Sequence, residues 1–258
     1  MRASATLCHR EMVRFLRQRS RVVGALFQPV LFWLLLGGGL RASFRPAGAP
    51  QGTGYAEYFY PGILALTLLF TAIFATISVV EDRKTGFLQG VLVSPVPRWS
   101  IVLGQAAGST LLAVLQGALL LLLAPVAGLS LGVGAVLAAL GAMTLLAFAM
   151  SAMGLVLAWR LDSTQGFHAI MNMVLMPMWL LSGAFFPAAG APTWLAWLMR
   201  LNPMTYGLAA LREGLYLGRP IAPGAVALPP MALCLAVLLA CAGVCFATAT
   251  ALARRAAA

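Results

Sequence analysis

Only six acidic side chains, one lysine and two histidines occur in this chain of 258 residues, and charged residues of all types make up 9% of it. A soluble domain draws about a quarter of its residues from Asp, Glu, Lys and Arg, so a water-facing surface of ordinary composition is excluded. The 62% hydrophobic content and the mean hydropathy of +0.94 agree. The scarcity is also positional. No Asp, Glu, Lys, Arg or His falls in the central part of any long apolar stretch, which disfavours a proton- or ion-driven carrier, because the driving ion needs a binding or relay group inside the membrane. The lone lysine, Lys84, precedes Thr85, but Ser78 and Arg83 stand where a phosphate-binding loop requires glycine. The chain therefore supplies no ATPase site, and uphill movement would draw its energy from a partner. Four cysteines are present. Cys8 lies in the basic N-terminal segment, while Cys234, Cys241 and Cys245 share one face of the last apolar stretch without His or carboxylate neighbours. They read as packing residues, and no metal site is expected.

What is abundant is apolar sequence. Six stretches, Val22 to Leu40, Pro61 to Val80, Ile101 to Ala124, Val133 to Trp159, Gly166 to Phe186 and Met231 to Leu252, are each long enough to cross a hydrocarbon core about 30 Å thick at 1.5 Å per residue. The first is too long for a cleaved leader and is expected to be retained. With the N-terminus in the cytoplasm, 12 of the 17 basic residues fall inside and 5, namely Arg41, Arg45, Arg200, Arg212 and Arg219, fall outside. That asymmetry places both termini in the cytoplasm. The net charge of +11 is thus a topology signal, and nucleic acid is not an expected partner.

Three segments add detail. In residues 1–21, helical spacing puts Arg10, Arg14, Arg17 and Arg21 in one stripe, opposite Cys8, Met12, Phe15 and Leu16, with only Arg19 breaking the pattern. This predicts an amphipathic cytoplasmic interface helix whose basic stripe faces anionic lipid or a partner protein. Gly104 and Gly108 form a small-xxx-small pattern that serves helix packing within one subunit or contact with a second copy. In the same stretch Gln105 and Gln116 either line a pathway or bond to a neighbouring helix. After the fifth stretch, Gly183 and Pro187 can interrupt the helix, and Trp194, Trp197 and Tyr206 suit an outer interface. Short helices folding back into the outer leaflet are expected there, with a surface loop anchored by aromatics as the alternative.

The loop after the second stretch runs from Glu81 and Asp82 through Thr85, Gly86, Phe87, Leu88, Val91 and Leu92 to Ser94 and Pro95. Acidic residues and Thr in front of apolar residues at helical spacing predict a short amphipathic helix that ends at Ser94-Pro95. Further on, Asn172, Pro177, the run Leu181 to Pro187, Asn202-Pro203, Tyr206 and Arg212 follow in order. This ordered set resembles the permease subunits of ABC-2 type transporters, in the branch that includes drug-resistance, nodulation-factor and polysaccharide exporters, and the resemblance spans essentially the whole chain.

The resemblance implies an all-α integral membrane protein: one domain over residues 1–258, with the interface helix at 1–21, six membrane helices within 22–252 and a cytoplasmic tail at 253–258. It also implies a bacterial inner-membrane location, a second copy of the permease and two copies of a separate ABC ATPase, which binds the ATP and Mg. Glu81, Thr85, Gly86, Phe87, Leu88, Leu92, Ser94 and Pro95 would transmit the ATPase's motion, with Leu88 and Leu92 on the apolar face that meets it. The N-terminal helix would help to seat the ATPase, and Gly183, Pro187, Asn202, Pro203, Tyr206 and Arg212 would shape the external segment. The expected function is outward movement of an amphiphilic drug or a lipid-linked glycan, with no catalytic residue in this chain. The alternative is a non-transporting assembly or anchoring subunit.

Overall fold

The computed structural model describes residues 2–17, 19–39, 55–185, 192–218 and 229–255, and among these there is no strand. Eleven helices follow in order: α1 (Arg2–Arg17), α2 (Arg19–Gly39), α3 (Tyr55–Ala75), α4 (Ile77–Lys84), α5 (Phe87–Val93), α6 (Arg98–Leu121), α7 (Val133–Ala158), α8 (Thr164–Trp179), α9 (Thr193–Leu201), α10 (Pro203–Leu215) and α11 (Met231–Arg255). A π-helical turn, Leu180–Ala184, continues α8.

By length and composition, five continuous runs among the described residues suffice to cross a membrane: Tyr55–Lys84, Arg98–Leu121, Val133–Ala158, Thr164–Ala184 and Met231–Arg255. The first expected span falls in α2, where the side chains of residues 22–26 lie outside the described residues. The α3–α4 run of 30 residues would measure about 45 Å as a straight helix. That is longer than a hydrocarbon core of about 30 Å, and Glu81 and Asp82 fall in the last turns of α4. The helix is interrupted at Thr76, whose hydroxyl donates to the Ile73 carbonyl at 2.7 Å and lies where a Cβ on Gly154 of α7 would meet it at 2.8 Å. Such back-bonding bends helices.

Helices α3, α6 and α7 form the centre. Phe59, Leu64, Leu68, Ile73, Val102 and Met143 are among their fully buried side chains. Two polar side chains of this core find partners between helices. Tyr60 donates to the Leu120 carbonyl at 2.8 Å, and Thr71 donates to the side-chain oxygen of Gln116, so Gln116 bonds to a neighbouring helix. Gln105 is also buried. On the outside, Leu111, Leu115 and Leu119 of α6 and Leu235 and Leu239 of α11 are exposed, as a hydrocarbon solvent favours. The bundle has two unlike ends. Near one of them, Arg83 of α4 pairs with Asp162 after α7 at 2.9 Å, and α1, α5 and the start of α6 gather there; this is the basic end. The opposite end holds the π-helical turn, α9 and α10.

Candidate functional site

At the basic end, α1 does not float. Ser4 donates to the Ser100 carbonyl at 2.9 Å and shares a hydroxyl contact of 2.7 Å with the Ser100 side chain. A Cβ on Gly104 would lie 2.9 Å from the Ser4 carbonyl and 3.0 Å from Leu7, and one on Gly108 would lie 3.0 Å from Glu11. The small-xxx-small stripe of α6 is therefore the seat of the N-terminal helix of the same chain.

The basic stripe is met from the other side by α4. Arg10 donates twice to Asp82, Nη1 to Oδ2 at 2.6 Å and Nη2 to Oδ1 at 2.7 Å, the paired geometry that makes Arg–carboxylate contacts strong. Arg14 donates to Asp82 at 3.2 Å and pairs with Glu81. The expectation that this stripe faces lipid or a partner protein is thus corrected for Arg10 and Arg14. Both are consumed within the chain, because α4 brings two carboxylates to the third and fourth turns of α1. Arg17 is exposed, and the side chain of Arg21 lies outside the described residues. Glu11, 6% exposed, is enclosed by the same contacts. Burial first, and then the neighbouring Asp82 carboxylate, push its carboxyl above the usual range, against the opposing pull of Arg14, Ser78 and Arg10.

The expected loop helix begins later than the sequence suggested. Glu81 and Asp82 belong to the last turn of α4. Thr85 closes that helix, its hydroxyl reaching the Asp82 carbonyl at 3.3 Å. Gly86 then takes φ +75°, the left-handed region that favours glycine, and α5 starts at Phe87. Acidic residues at the front of an apolar run look like a helix start, but here they end the preceding one. The Ser94-Pro95 stop is where expected: Ser94 donates to the Val91 carbonyl at 2.6 Å, and its ψ of 150° is extended.

The faces of α5 also differ from expectation. Leu88 is only 2% exposed, so it anchors α5 to its own chain and is not on a surface that a partner can reach. The side chain of Leu92 lies outside the described residues. Phe87 at 42% and Val93 at 86% are the exposed apolar groups of this helix, and Trp99 follows at 42%.

The opposite end is a set of capped carbonyls. Gly183 adopts φ +85° inside the π-helical turn, which disturbs the regular ladder at the end of α8. Side chains take over the carbonyls. Asn202 donates to Met178 at 2.6 Å, Ser182 to Trp179 at 2.6 Å, and Arg212 to Gly183 at 3.1 Å. The Arg212 guanidinium, in a residue 5% exposed, also lies 4.8 Å over the Tyr58 ring. A buried cation is tolerated in such surroundings only when it is satisfied. Asn202 also caps α10, accepting from the Met204 amide at 3.0 Å, with Pro203 at the first helical position. Tyr206 donates to the Arg200 carbonyl at 2.9 Å. Nine residues in α9 and thirteen in α10 are too few to span. Pro187 lies outside the described residues.

The residues that order this end are those of the second sequence block, and the acidic loop and α1 meet at the other. A profile of the ABC-2 type transporter family matches residues 3–216. The chain belongs to this family. It is 28% identical over 210 residues to the transport permease ycf38 of Cyanophora paradoxa, covering 80% of this chain and 71% of the relative. Nodulation protein J of Sinorhizobium fredii is 29% identical over 216 residues, covering 83% and 80%. The multidrug ABC transporter permease YbhR of Escherichia coli K12 is 26% identical over 153 residues, covering 59% and 42%.

The ABC-2 chain is thus an integral membrane protein of the transport-permease type, in a family that works with an ABC ATPase. Two contributors to its basic end escaped sequence reasoning. Asp82 was visible in the loop but not assigned, although it accepts from both arginines, and Glu11 was lost inside a basic stripe. The spacing of Arg10 and Arg14 by four residues, against adjacent acids at 81 and 82, was the available signal. Among the described residues no cluster of His, Cys, Asp and Glu is arranged to hold a metal.

Proposed function

We propose that this ABC-2 chain is the membrane-spanning subunit of an exporter in the bacterial inner membrane. Two copies pair with two copies of a separate ABC ATPase that holds ATP and Mg. The basic end faces the cytoplasm, following the distribution of Arg and Lys. The observation that carries the reading is α5. It is held to its own chain by buried Leu88, yet it presents Phe87 and Val93 outward beyond the membrane region, where a soluble partner can push on it. Export of an amphiphilic drug or a lipid-linked glycan is supported by the multidrug and nodulation names of relatives and by the exposed side of α8. There Gln165, His168 and Asn172 share a face with Met176 and Leu180, a mixed polar and apolar surface better suited to an amphiphile than to lipid tails alone. In this scheme closure of the ATPases shifts α5 and α4, and through α3 the gap between two permeases.

The test is Val93→Asp. A carboxylate buried unpaired in a protein interface costs several kcal/mol, so copurification with the ATPase is expected to be lost while abundance and membrane insertion stay normal. Thr193→Asp on exposed α9 is the control and leaves the complex intact. Proteoliposomes of the wild-type complex are expected to move a fluorescent amphiphile or a lipid-linked oligosaccharide when ATP is supplied. An undiminished complex with Val93→Asp refutes the docking face, and a stable complex that moves neither probe favours the anchoring reading.

A further inference from the structure

Gly86 leaves α5 on a joint: its φ is positive, and nothing lies within 4 Å of where its Cβ would be. A seven-residue helix on such a joint transmits little displacement unless a second attachment sets its direction. Leu88 is one attachment. The other comes from outside the loop, because the Arg10 guanidinium that grips Asp82 with both nitrogens also lies 3.9 Å over the centroid of Phe87. One planar cation thus joins three elements, α1, α4 and α5. Phe87 is the first residue after the joint, so its ring reports and constrains the angle of the whole helix.

We propose that Arg10 is the positioning residue of α5: it clamps Phe87 against Asp82 so that α1, α4 and α5 move as one body, and it passes that movement to α6 through the seat at Gly104 and Gly108. This assignment rests on the coupling role proposed above for α5. The planarity of the guanidinium is essential to it, because the same group must bond a carboxylate in its plane and stack an aromatic ring on its face. A lysine keeps the charge but has no planar fork that could bond the carboxylate through two nitrogens while its face lies on the ring.

The test uses the full chain in nanodiscs, with the native cysteines replaced and nitroxide labels at His9→Cys on α1 and Gln89→Cys on α5, both exposed positions. Electron–electron resonance is expected to give one narrow distance distribution with Arg10, and a broader, shifted one with Arg10→Gln, Arg10→Lys and Phe87→Leu alike. Arg10→Gln combined with Phe87→Leu should add nothing further. A narrow distribution in Arg10→Gln, full rescue by Arg10→Lys, or no effect of Phe87→Leu overturns the clamp. A Ser4→Cys/Ser100→Cys cross-link is carried alongside. Its loss in Arg10→Lys would mean that Arg10 holds α1 itself, which also overturns the assignment to α5. In proteoliposomes with the ATPase, the amount of fluorescent amphiphile moved per ATP hydrolysed is expected to fall in Arg10→Lys with complex yield unchanged, and an unchanged ratio overturns the proposal. If the wild-type complex moves no probe, the exporter reading fails while the label distances still decide the clamp.

Discussion

Gly104→Ala perturbs the seat of the N-terminal helix at its tightest point. The added methyl would sit 2.9 Å from the Ser4 carbonyl oxygen and 3.0 Å from both the Ser4 Cα and the Leu7 Cβ. Two of these three are backbone atoms, so no rotamer change relieves the contact and α1 must lift away. Inserting extra methyl groups into a well-packed site costs about 1–3 kcal/mol, which lowers the ratio of docked to undocked α1 by about 5- to 150-fold. The opposing gain from replacing a helical glycine, about 1 kcal/mol, stabilises α6 equally in both states and does not offset the loss. The assay is the disulfide formed between Ser4→Cys and Ser100→Cys, whose native hydroxyls are 2.7 Å apart, in a background without other cysteines. Cross-linking should slow strongly in Gly104→Ala and more in Gly104→Val. It should be unchanged in Gly243→Ala, where nothing lies within 4 Å. Equal rates in all variants would refute the close packing of α1 on α6.

Two further predictions concern stability and pH. Asn202→Ala removes both the cap of α10 and the donor to the Met178 carbonyl, an expected loss of about 1–3 kcal/mol. It should lower the Tm of the detergent-purified chain more than Tyr206→Phe, and an equal or smaller drop would contradict the capping account. Because docked Glu11 has its carboxyl raised from an ordinary value of 4.5, the docked state binds more protons than the undocked one in the window above that value. Docking of α1 should therefore strengthen as pH falls through this window and weaken as it rises. Distances between spin labels at Ala5→Cys and Trp99→Cys check this, and Glu11→Gln should flatten the dependence. A profile that survives Glu11→Gln would assign it to another group.

The membrane character of this chain was legible locally. Runs such as Val133–Ala158 declare themselves because every backbone group in hydrocarbon must be satisfied within the segment, and that demand is written residue by residue in hydropathy. The stop at Ser94-Pro95 was equally readable, since it depends on a side chain and the backbone beside it. The order of these signals also sufficed to point to the ABC-2 family.

Partnership was another matter. Arg10 and Arg14 looked like a stripe for lipid or a foreign protein, and Glu81 and Asp82 looked like the start of the next helix. Residues separated by about seventy positions pair only because α1 settles on the glycines of α6 within reach of the end of α4. The burial of Leu88 and the exposure of Val93 were decided in the same way. A helix of seven residues has two apolar sides in sequence, and only the surface it lands on determines which side is covered. Likewise, Arg212 reads as a loop charge until the break at Gly183 frees a carbonyl for it. Length, span and caps are properties of a segment and its solvent. Which charge answers which, and which apolar face is left open for a partner, depend on the packing of distant segments, which only the tertiary structure supplies.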